Sequence, residues 1–514
     1  MVRINSIRMR VTQSLSKGVG RPSHTLRQTQ DDSPPGSFKH IYSKTDNIYT
    51  MKNRYFFLLL FIIFTSPSCK KSLDIKPKQI LLNDFAITTV RDLEAVAAGM
   101  YDGLQASNVM GGNQVVFSEL LAEETQVQQS ILSNFGTREI YEQKTTVQIG
   151  LLRSMWAESY SVINRANNVI ATIESGKLSG QDFDLVKNKL KGEAYFIRAI
   201  VHFQLCRLWA TSYNPDAQGG NSQPGIVIRT EPTLSAENLS KARSTVEEVY
   251  AQVIADLQQA ETLLGTAGVI TSVDRASEMA ATAFLARVYF FKGDNINASS
   301  KAREVINSGN FSLNDSVVDI YKTSGNTATT ECIFQLVNTS TDQSSSLPTN
   351  FQRTKNPLML ADTSVINKYD ATDRRLANLL YKNPFTGLYY TKKYDQSGSV
   401  APNVIIIRYA EMHLILAESN LLSNGDPTEA IASYNEIIKR AMQDNYVAET
   451  TATGLLPKVL LQRQLELYCE GDRFDNLRRM KNNVRFGTAY NAAQLLFKIP
   501  QEEMAGNSLM EQNP

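Results

Sequence analysis

Histidine, tryptophan and cysteine are scarce in this chain of 514 residues, which holds four histidines, two tryptophans and four cysteines. Only His202 and His413 follow residue 69, and each falls within an amphipathic helical pattern. A zinc site or a general base needs convergent partners of the His, Cys or Asp type, and the sequence contains no such cluster. We therefore expect both histidines to pack inside helices, and we predict neither a metal site nor a cofactor.

The sequence also lacks the fingerprints of common catalytic folds, namely Gly-x-Ser-x-Gly, a phosphate-binding loop and a dinucleotide-binding motif. Glu123 and Glu124 offer the two carboxylates that a glycosidase uses. Adjacent residues on a helix point about 100° apart, so this pair is poorly placed to flank one glycosidic bond. We predict a protein without catalytic residues.

Basic residues are not in excess in the body of the chain. From Lys70 onward the sequence holds 43 Lys and Arg against 48 Asp and Glu, so the net charge of +2 comes from the first 69 residues. Binding to a phosphate backbone requires a basic stripe. Nucleic acid is therefore excluded as a predicted partner.

One short segment has the order of an export signal. Lys52 and Arg54 precede the apolar run YFFLLLFIIF, which is followed by TSPSC ending at Cys69. A run of this length is too short for a bilayer core, which needs about 20 residues. Basic, apolar and small residues in this order indicate a signal peptide over residues 51–68. We predict cleavage before Cys69 and a diacylglycerol or acyl lipid on its thiol, which would supply the membrane affinity.

Residues 1–50 precede this signal and are polar, basic and rich in Ser, Thr and Gln. Because a signal peptide acts from the N-terminus, we predict that translation begins at Met51. The first 50 residues are then a start-site misassignment without ordered structure.

Helical periodicity dominates the remainder of the chain. In residues 187–210 the apolar positions recur at steps of three and four, and residues 244–264 predict another helix with Thr245 as its N-cap. Helix pairs are predicted at about 187–210, 244–307, 405–442 and 455–481. Irregular stretches are predicted at about 107–150, 211–243 and 309–404, the last with one strand-like run, CIFQLV.

Two segments carry the residue offsets of a tetratricopeptide helix pair. The first places Tyr289, Gly293, Ala298 and Ala302 after Ala286, and the second places Gly425, Ala430, Tyr434 and Ile437 after Ala417. Small residues at these offsets let antiparallel helices approach, and the aromatic ring fills the space between them. Since the units are unevenly separated, we predict a decorated scaffold of helix pairs and not a regular solenoid.

Eight segments, in order along the chain, resemble one protein family. They are CKKSLDIKPK, GEAYFIRAIVHFQLCRLWA, RSTVEEVYAQVIADLQQAE, ATAFLARVYFFKGD with KAREVINSGNFSL, ECIFQLV, IIRYAEMHLILAES, LELYCEGDRFDNLRRM and LLFKIPQEEMAGNSLMEQNP. Together they make residues 69–514 similar to the SusD/RagB family of Bacteroidetes cell-surface nutrient-binding lipoproteins.

The resemblance implies one mainly α domain over residues 69–514, in which tetratricopeptide-like helix pairs form a superhelical scaffold with a loop-rich ligand-binding face and a few short strands. It implies a non-enzymatic lipoprotein on the surface of the outer membrane. Such a protein captures oligosaccharides and delivers them to a SusC-like TonB-dependent transporter. Peptide binding within the same uptake system, or an extracellular glycan-degrading enzyme, remains as an alternative.

Sugar binding usually relies on aromatic rings flanked by polar side chains. Trp156 and Trp209 lie on helical stretches and are predicted to be core residues, so the platform must use Tyr or Phe from loops. In the loop after the first helix, where glycan-binding relatives commonly place an aromatic residue, the candidates are Gln126, Phe135, Arg138 and Tyr141. In YKNPFTGLYYTKKY, whose second half resembles a strand pair common to the family, they are Tyr381, Phe385, Tyr389, Tyr390 and Tyr394.

Two further groups are predicted to be structural. The charged residues of LELYCEGDRFDNLRRM are spaced for ion pairs within the segment, and they are Glu466, Glu470, Arg473, Asp475, Arg478 and Arg479. Cys206, Cys332 and Cys469 are predicted to act as small buried apolar residues.

Overall fold

The computed structural model describes residues 87–128, 133–233, 239–267, 272–352, 357–395 and 400–514. The predicted leader, Cys69 and the linker behind it lie outside these ranges, so the predictions of cleavage and lipidation stay predictions. Within the described ranges, no helix is long and apolar enough to cross a membrane.

Helices make up most of the described residues. In chain order the α-helices are α1 Val90–Gln105, α2 Asn113–Leu121, α3 Thr137–Tyr141, α4 Gly150–Glu174, α5 Gln181–Trp209, α6 Val246–Thr266, α7 Glu278–Lys292, α8 Asn295–Asn307, α9 Leu347–Phe351, α10 Thr363–Ile366, α11 Arg374–Leu379, α12 Tyr409–Leu422, α13 Pro427–Met442, α14 Leu455–Glu466, α15 Arg473–Arg479 and α16 Gln501–Gly506. The long helices pack in succession: α5 contacts α4 and α6, α7 contacts α6 and α8, and α12 contacts α8, α13 and α14. The predicted mainly α fold is confirmed.

The two predicted tetratricopeptide-like pairs are α7 with α8 and α12 with α13. Ala286, Ala298 and Ala302 in the first pair are fully buried, as are Ala417 and Ala430 in the second. The chain leaves α7 in the left-handed region, at a φ of 79°, where a glycine (residue 293) avoids the strain of a Cβ atom. Small residues therefore stand where the two helices of each pair approach, as predicted.

The start of α6 follows the sequence prediction. The Thr245 hydroxyl accepts a hydrogen bond from the Glu248 amide at 3.2 Å, and the Glu248 carboxylate accepts one from the Thr245 amide at 2.7 Å. This reciprocal capping box satisfies two amide groups that the first turn of a helix otherwise leaves without partners.

Six short strands form two sheets in the described residues: β1 Thr125–Val127, β2 Cys332–Leu336, β3 Met359–Ala361, β4 Leu380–Lys382, β5 Tyr389–Thr391 and β6 Val404–Arg408. β2 pairs with β6, and the other strands form an antiparallel sheet in the order β1-β3-β5-β4. This four-stranded sheet joins segments that are more than 230 residues apart in sequence.

Three predicted assignments are wrong. The residues before Tyr409 were assigned to a helix pair, but they form β6, because VIIIR pairs with the buried run CIFQL. The stretch at about 309–404 was predicted to be irregular apart from one strand-like run, yet it contains α9, α10, α11 and β3. The stretch at about 107–150 was also predicted to be irregular, yet it contains α2 and α3. Residues 114–121 of α2 are all buried, Gln114, Ser118 and Glu119 among them, so polar residues do not mark a solvent-facing side and periodicity did not reveal the helix.

Residues of LELYCEGDRFDNLRRM have a structural role, but the predicted pairing within the segment is largely wrong. Glu466 and Glu470 bind cations from distant elements and form part of a network of four cations and four carboxylates, which we call the buried ion network. Its members are Arg375, Lys393, Arg408 and Arg440 with Glu331, Asp373, Glu466 and Glu470. Equal numbers of opposite charges let these groups share a buried environment without a net charge.

The tryptophans, histidines and cysteines within the described residues lie in the core, as predicted. Trp156 and Trp209 are 3% and 0% exposed, and their ring centroids are 5.3 Å apart. His202 and His413 are buried within α5 and α12. Cys206, Cys332 and Cys469 are also buried, and none forms a disulfide.

Candidate functional site

The four-stranded sheet brings the two sets of candidate residues together. Gln126 lies on β1 at one edge of the sheet, and Tyr381 lies on β4 at the other. The register aligns Thr125 with Ala361, and Ala361 with Tyr389. A single sheet therefore carries one residue of the first set and three of the second, although the two sets are about 250 residues apart in the sequence.

Gln126 is half-buried, and its side chain is already engaged. It hydrogen-bonds the carboxylate of Asp362, which also accepts the Ser364 amide at 2.7 Å as the N-cap of α10. Burial opposes ionisation of Asp362, but these hydrogen bonds outweigh it and hold the pKa of the carboxyl below its usual value. Gln126 thus braces the link between β1 and β3 at the sheet edge.

The other members of the first set lie in and just before α3. The Phe135 ring is 59% exposed, and the Arg138 guanidinium forms an ion pair with Glu139 at 2.5 Å. The Tyr141 ring meets the ring of Phe486 edge to face, with 5.2 Å between centroids. The Arg485 guanidinium carbon is 4.9 Å from the Tyr141 centroid. Tyr141, Arg485 and Phe486 form what we call the Tyr141–Phe486 cluster.

Phe486 was missed by the sequence analysis. Its side chain is 65% exposed and its φ is 62°, in the left-handed region that bulky residues avoid. Holding such a residue there costs about 1–3 kcal/mol and requires support from its surroundings. The one signal in the sequence is a phenylalanine followed by glycine in NVRFGTAY, a segment without helical period.

The neighbouring residue, Arg485, holds the backbone at Phe486 in place. Its buried guanidinium donates to the Leu120 carbonyl at 2.7 Å and to the Thr125 carbonyl at 2.8 Å. These contacts tie the turn that carries Phe486 to the end of α2 and the start of β1. The exposed aromatic ring is therefore presented by a fixed backbone.

The second set lies on the β4–β5 hairpin. Phe385, at its turn, is 95% exposed, and Tyr381 and Tyr389 are half-buried. Tyr390 and Tyr394 are 8% and 6% exposed, and the Tyr394 hydroxyl donates to the Cys469 carbonyl at 2.7 Å. Phe385, Tyr381 and Tyr389 are consequently the members of this set that solvent can reach.

The carboxylates near β1 are held by structural contacts. Glu123 accepts hydrogen bonds from Arg473 at 2.5 and 2.9 Å, and the buried Glu124 accepts one from Gln464 at 2.7 Å. Burial raises the pKa of Glu124 well above its usual value and raises the pKa of Glu119 to about 7. Among the described residues no cluster of three or more His, Cys, Asp or Glu side chains has the arrangement of a metal site.

Two family models match the chain. Residues 71–290 match a family described as starch-binding and associating with the outer membrane, and residues 369–494 match the SusD family. SusD-like protein P2 of Formosa agariphila is 24% identical over 90% of this chain and 99% of its own length. SusD-like protein P38 of the same organism is 23% identical over 89% of this chain and 97% of its own length.

Solved structures share the fold. A SusD superfamily protein from Bacteroides thetaiotaomicron superposes with a TM-score of 0.73 at 26% identity, covering 83% of this chain and all of that chain. A laminarin-binding SusD-like protein superposes with a TM-score of 0.66 at 19% identity, with the same coverage. The resemblance found in the eight sequence segments is confirmed, and the chain belongs to the SusD/RagB family.

Proposed function

We propose that this protein is a cell-surface lipoprotein that captures oligosaccharides and passes them to a SusC-like TonB-dependent transporter of the outer membrane. Membership of a family of carbohydrate-binding, generally non-enzymatic proteins supports the capture role. The laminarin-binding structural neighbour shows that the fold can hold a glycan.

The observation that carries the proposal is the Tyr141–Phe486 cluster. Sugars bind proteins through the stacking of their C–H faces on aromatic rings, and such rings bind best when their geometry is fixed in advance. Phe486 is exposed, lies against Tyr141 and sits on a backbone that Arg485 fixes in the left-handed region. We infer that these rings form a glycan platform, with Phe135 and Arg138 on the same short segment as Tyr141.

Alanine at Phe486 or Tyr141 is expected to weaken glycan binding about tenfold, or about 1.4 kcal/mol. The loss follows from removal of the stacking surface. Isothermal titration of the purified protein against laminarin and starch oligosaccharides measures it, with Phe135→Ala tested in parallel. Leu185→Ala, an exposed apolar residue (74%) at the start of α5, is the matched control and should leave affinity unchanged.

Unchanged affinity in both the Phe486 and Tyr141 variants would remove this cluster from the ligand site. Binding to a peptide panel without binding to any glycan would overturn the choice of ligand class. It would leave the peptide-binding alternative.

The lipid anchor has its own test at Cys69. Cells expressing the wild-type chain should incorporate labelled palmitate into it, and Cys69→Ser should abolish the label, because the thiol is the proposed attachment point. Intact mass of the mature wild-type protein should fit an N-terminus at Cys69 plus lipid. A mature protein that retains Met1 or carries no lipid would refute the anchor.

A further inference from the structure

A small polar network lies beside the Tyr141–Phe486 cluster. Residues 486–494, with the sequence FGTAYNAAQ, contain no Lys, Arg, Asp or Glu. Two of their side chains, those of Thr488 and Gln494, hydrogen-bond the side chain of Gln143. We call these three residues the amide network.

Gln143 ties the network to the aromatic cluster. It is 4% exposed, and its φ of 59° lies in the left-handed region, as does that of Phe486. Its Nε2 atom donates to the carbonyl of Arg485, the group that precedes Phe486 in the backbone, at 3.1 Å. Since Gln143 follows Tyr141 by two residues, it links the two segments that carry the rings. The network and the rings therefore belong to one site.

The hydrogen bonds of the network fix the Gln494 amide and leave part of it unused. Gln143 Oε1 accepts from the Thr488 hydroxyl at 2.6 Å and from Gln494 Nε2 at 3.0 Å, and Gln494 Nε2 also approaches the Thr488 oxygen at 3.3 Å. Because these two acceptors are only 2.6 Å apart, one N–H of the Gln494 amide serves both. Gln494 is exposed, and its Oε1 atom and second N–H have no hydrogen-bond partner among the described residues. An amide in this state offers solvent one acceptor and one donor.

The exposed charges near the cluster are paired with one another. Arg138 pairs with Glu139 at 2.5 Å, and Lys144 pairs with Glu142 at 3.3 Å. The Arg485 guanidinium is buried and donates to backbone carbonyls. The surface of the site is therefore made of aromatic rings, an amide and a hydroxyl group.

We propose that Gln494 and Thr488 are the polar half of the glycan platform, positioned by Gln143, and that the platform takes neutral oligosaccharides. This inference rests on the proposed function and names its substrate class. A sugar stacked on Tyr141 and Phe486 keeps its hydroxyl groups at the edge of its ring, where one amide can accept from a hydroxyl and donate to the next. A carboxylate or sulfate substituent would gain no ion pair, because the exposed cations already have carboxylate partners.

Isothermal titration of the full chain against laminarin and starch oligosaccharides, which are neutral, tests the polar half. We expect Gln494→Ala to weaken their binding about fivefold, because the hydrogen bonds of one amide are lost. Gln259→Ala, at an exposed glutamine on α6, is the matched control and should leave affinity unchanged. Oligogalacturonate, which carries a carboxylate on each ring, should bind about tenfold more weakly than the neutral probes.

The positioning role of Gln143 has a separate readout. Gln143→Met keeps the length of the side chain and removes its hydrogen bonds, so it should also weaken binding of the neutral probes. Because Gln143 acts through Gln494, adding Gln494→Ala to Gln143→Met should cause no further loss. A merely structural role would lower the midpoint of urea unfolding and leave the affinity of the folded protein unchanged.

Three results would overturn the inference: unchanged affinity in Gln494→Ala, oligogalacturonate binding as tight as that of the neutral probes, or additive losses in the double variant. If Phe486→Ala still weakens glycan binding in these cases, the proposed function stands and the polar half fails. If no glycan binds at all, the proposed function fails as well.

Discussion

Replacing Glu466 with glutamine is expected to lower the free energy of unfolding by about 3–5 kcal/mol, because it removes the central carboxylate of a buried ion network. Glu466 is fully buried. One carboxylate oxygen accepts hydrogen bonds from Arg408 at 2.7 Å and Arg440 at 2.5 Å, and the other accepts one from Arg375 at 3.2 Å.

The size of the expected loss comes from the imbalance that the substitution leaves. Burial opposes ionisation of Glu466, but the three arginines and Lys393 hold its pKa well below the usual value. Glutamine keeps the shape and one acceptor oxygen, yet four buried cations then face three carboxylates. An uncompensated buried charge is among the costliest defects in a protein interior.

Urea unfolding followed by circular dichroism measures the effect as a shift of the midpoint. Glu304→Gln is the matched control, since Glu304 is 44% exposed and pairs with Lys301 on the surface of α8. That substitution should change stability by less than about 0.5 kcal/mol. A Glu466→Gln midpoint equal to that of the control would show that the network does not stabilise the fold.

The buried ion network also shows which contacts the sequence could not reveal. Helix-period spacing in LELYCEGDRFDNLRRM predicted charged residues with a structural role, and that role is confirmed. The partners were mispredicted because Arg375, Arg408 and Arg440 come from three other elements. Periodicity reports on neighbours along one helix, whereas these pairs depend on how distant elements pack.

The same limit applies to the candidate site. Tyr389 and Tyr390 were recognised as part of a strand pair because their segment resembles a strand pair common to the SusD/RagB family, and the structure pairs β4 with β5. Gln126 on β1 lies in the same sheet as that hairpin because β3 pairs with both β1 and β5. No pattern in the sequence connects β3 to β1 or to the hairpin. Phe486 escaped notice because exposure and a left-handed φ are properties of the folded backbone, not of the residue type.

The buried histidine of α5 gives a prediction about pH. Burial, together with the nearby positive charge of Arg198, lowers the pKa of His202 from its ordinary value of 6.5 to about 3. The unfolded chain therefore takes up a proton below pH 6.5, while the folded protein does so only near pH 3. Stability from this group is complete above pH 6.5 and falls as the pH drops towards 3.

The change that His202→Gln makes in the free energy of unfolding is expected to be more stabilising at pH 4.5 than at pH 8, by about 2–3 kcal/mol. Glutamine offers an acceptor for the Arg229 amide, which now donates to His202 Nε2 at 3.3 Å, and it takes up no proton. Loss of packing affects both pH values equally, so the difference between them isolates the titration. Urea midpoints of the variant and the wild type at pH 8 and pH 4.5 give this difference.

Glu119 provides a control of opposite sign. Because burial raises its folded pKa to about 7, its contribution to stability is complete below pH 4.5 and is lost as the pH rises through 7. The change that Glu119→Gln makes in the free energy of unfolding should therefore be more stabilising at pH 8 than at pH 4.5. In the wild type, His202 and Glu119 change the free energy of unfolding with pH in opposite directions, and these changes partly cancel. A wild-type free energy of unfolding that varies little with pH is therefore compatible with both pKa shifts. Equal effects of His202→Gln at the two pH values would instead mean that His202 titrates alike in the folded and unfolded chains.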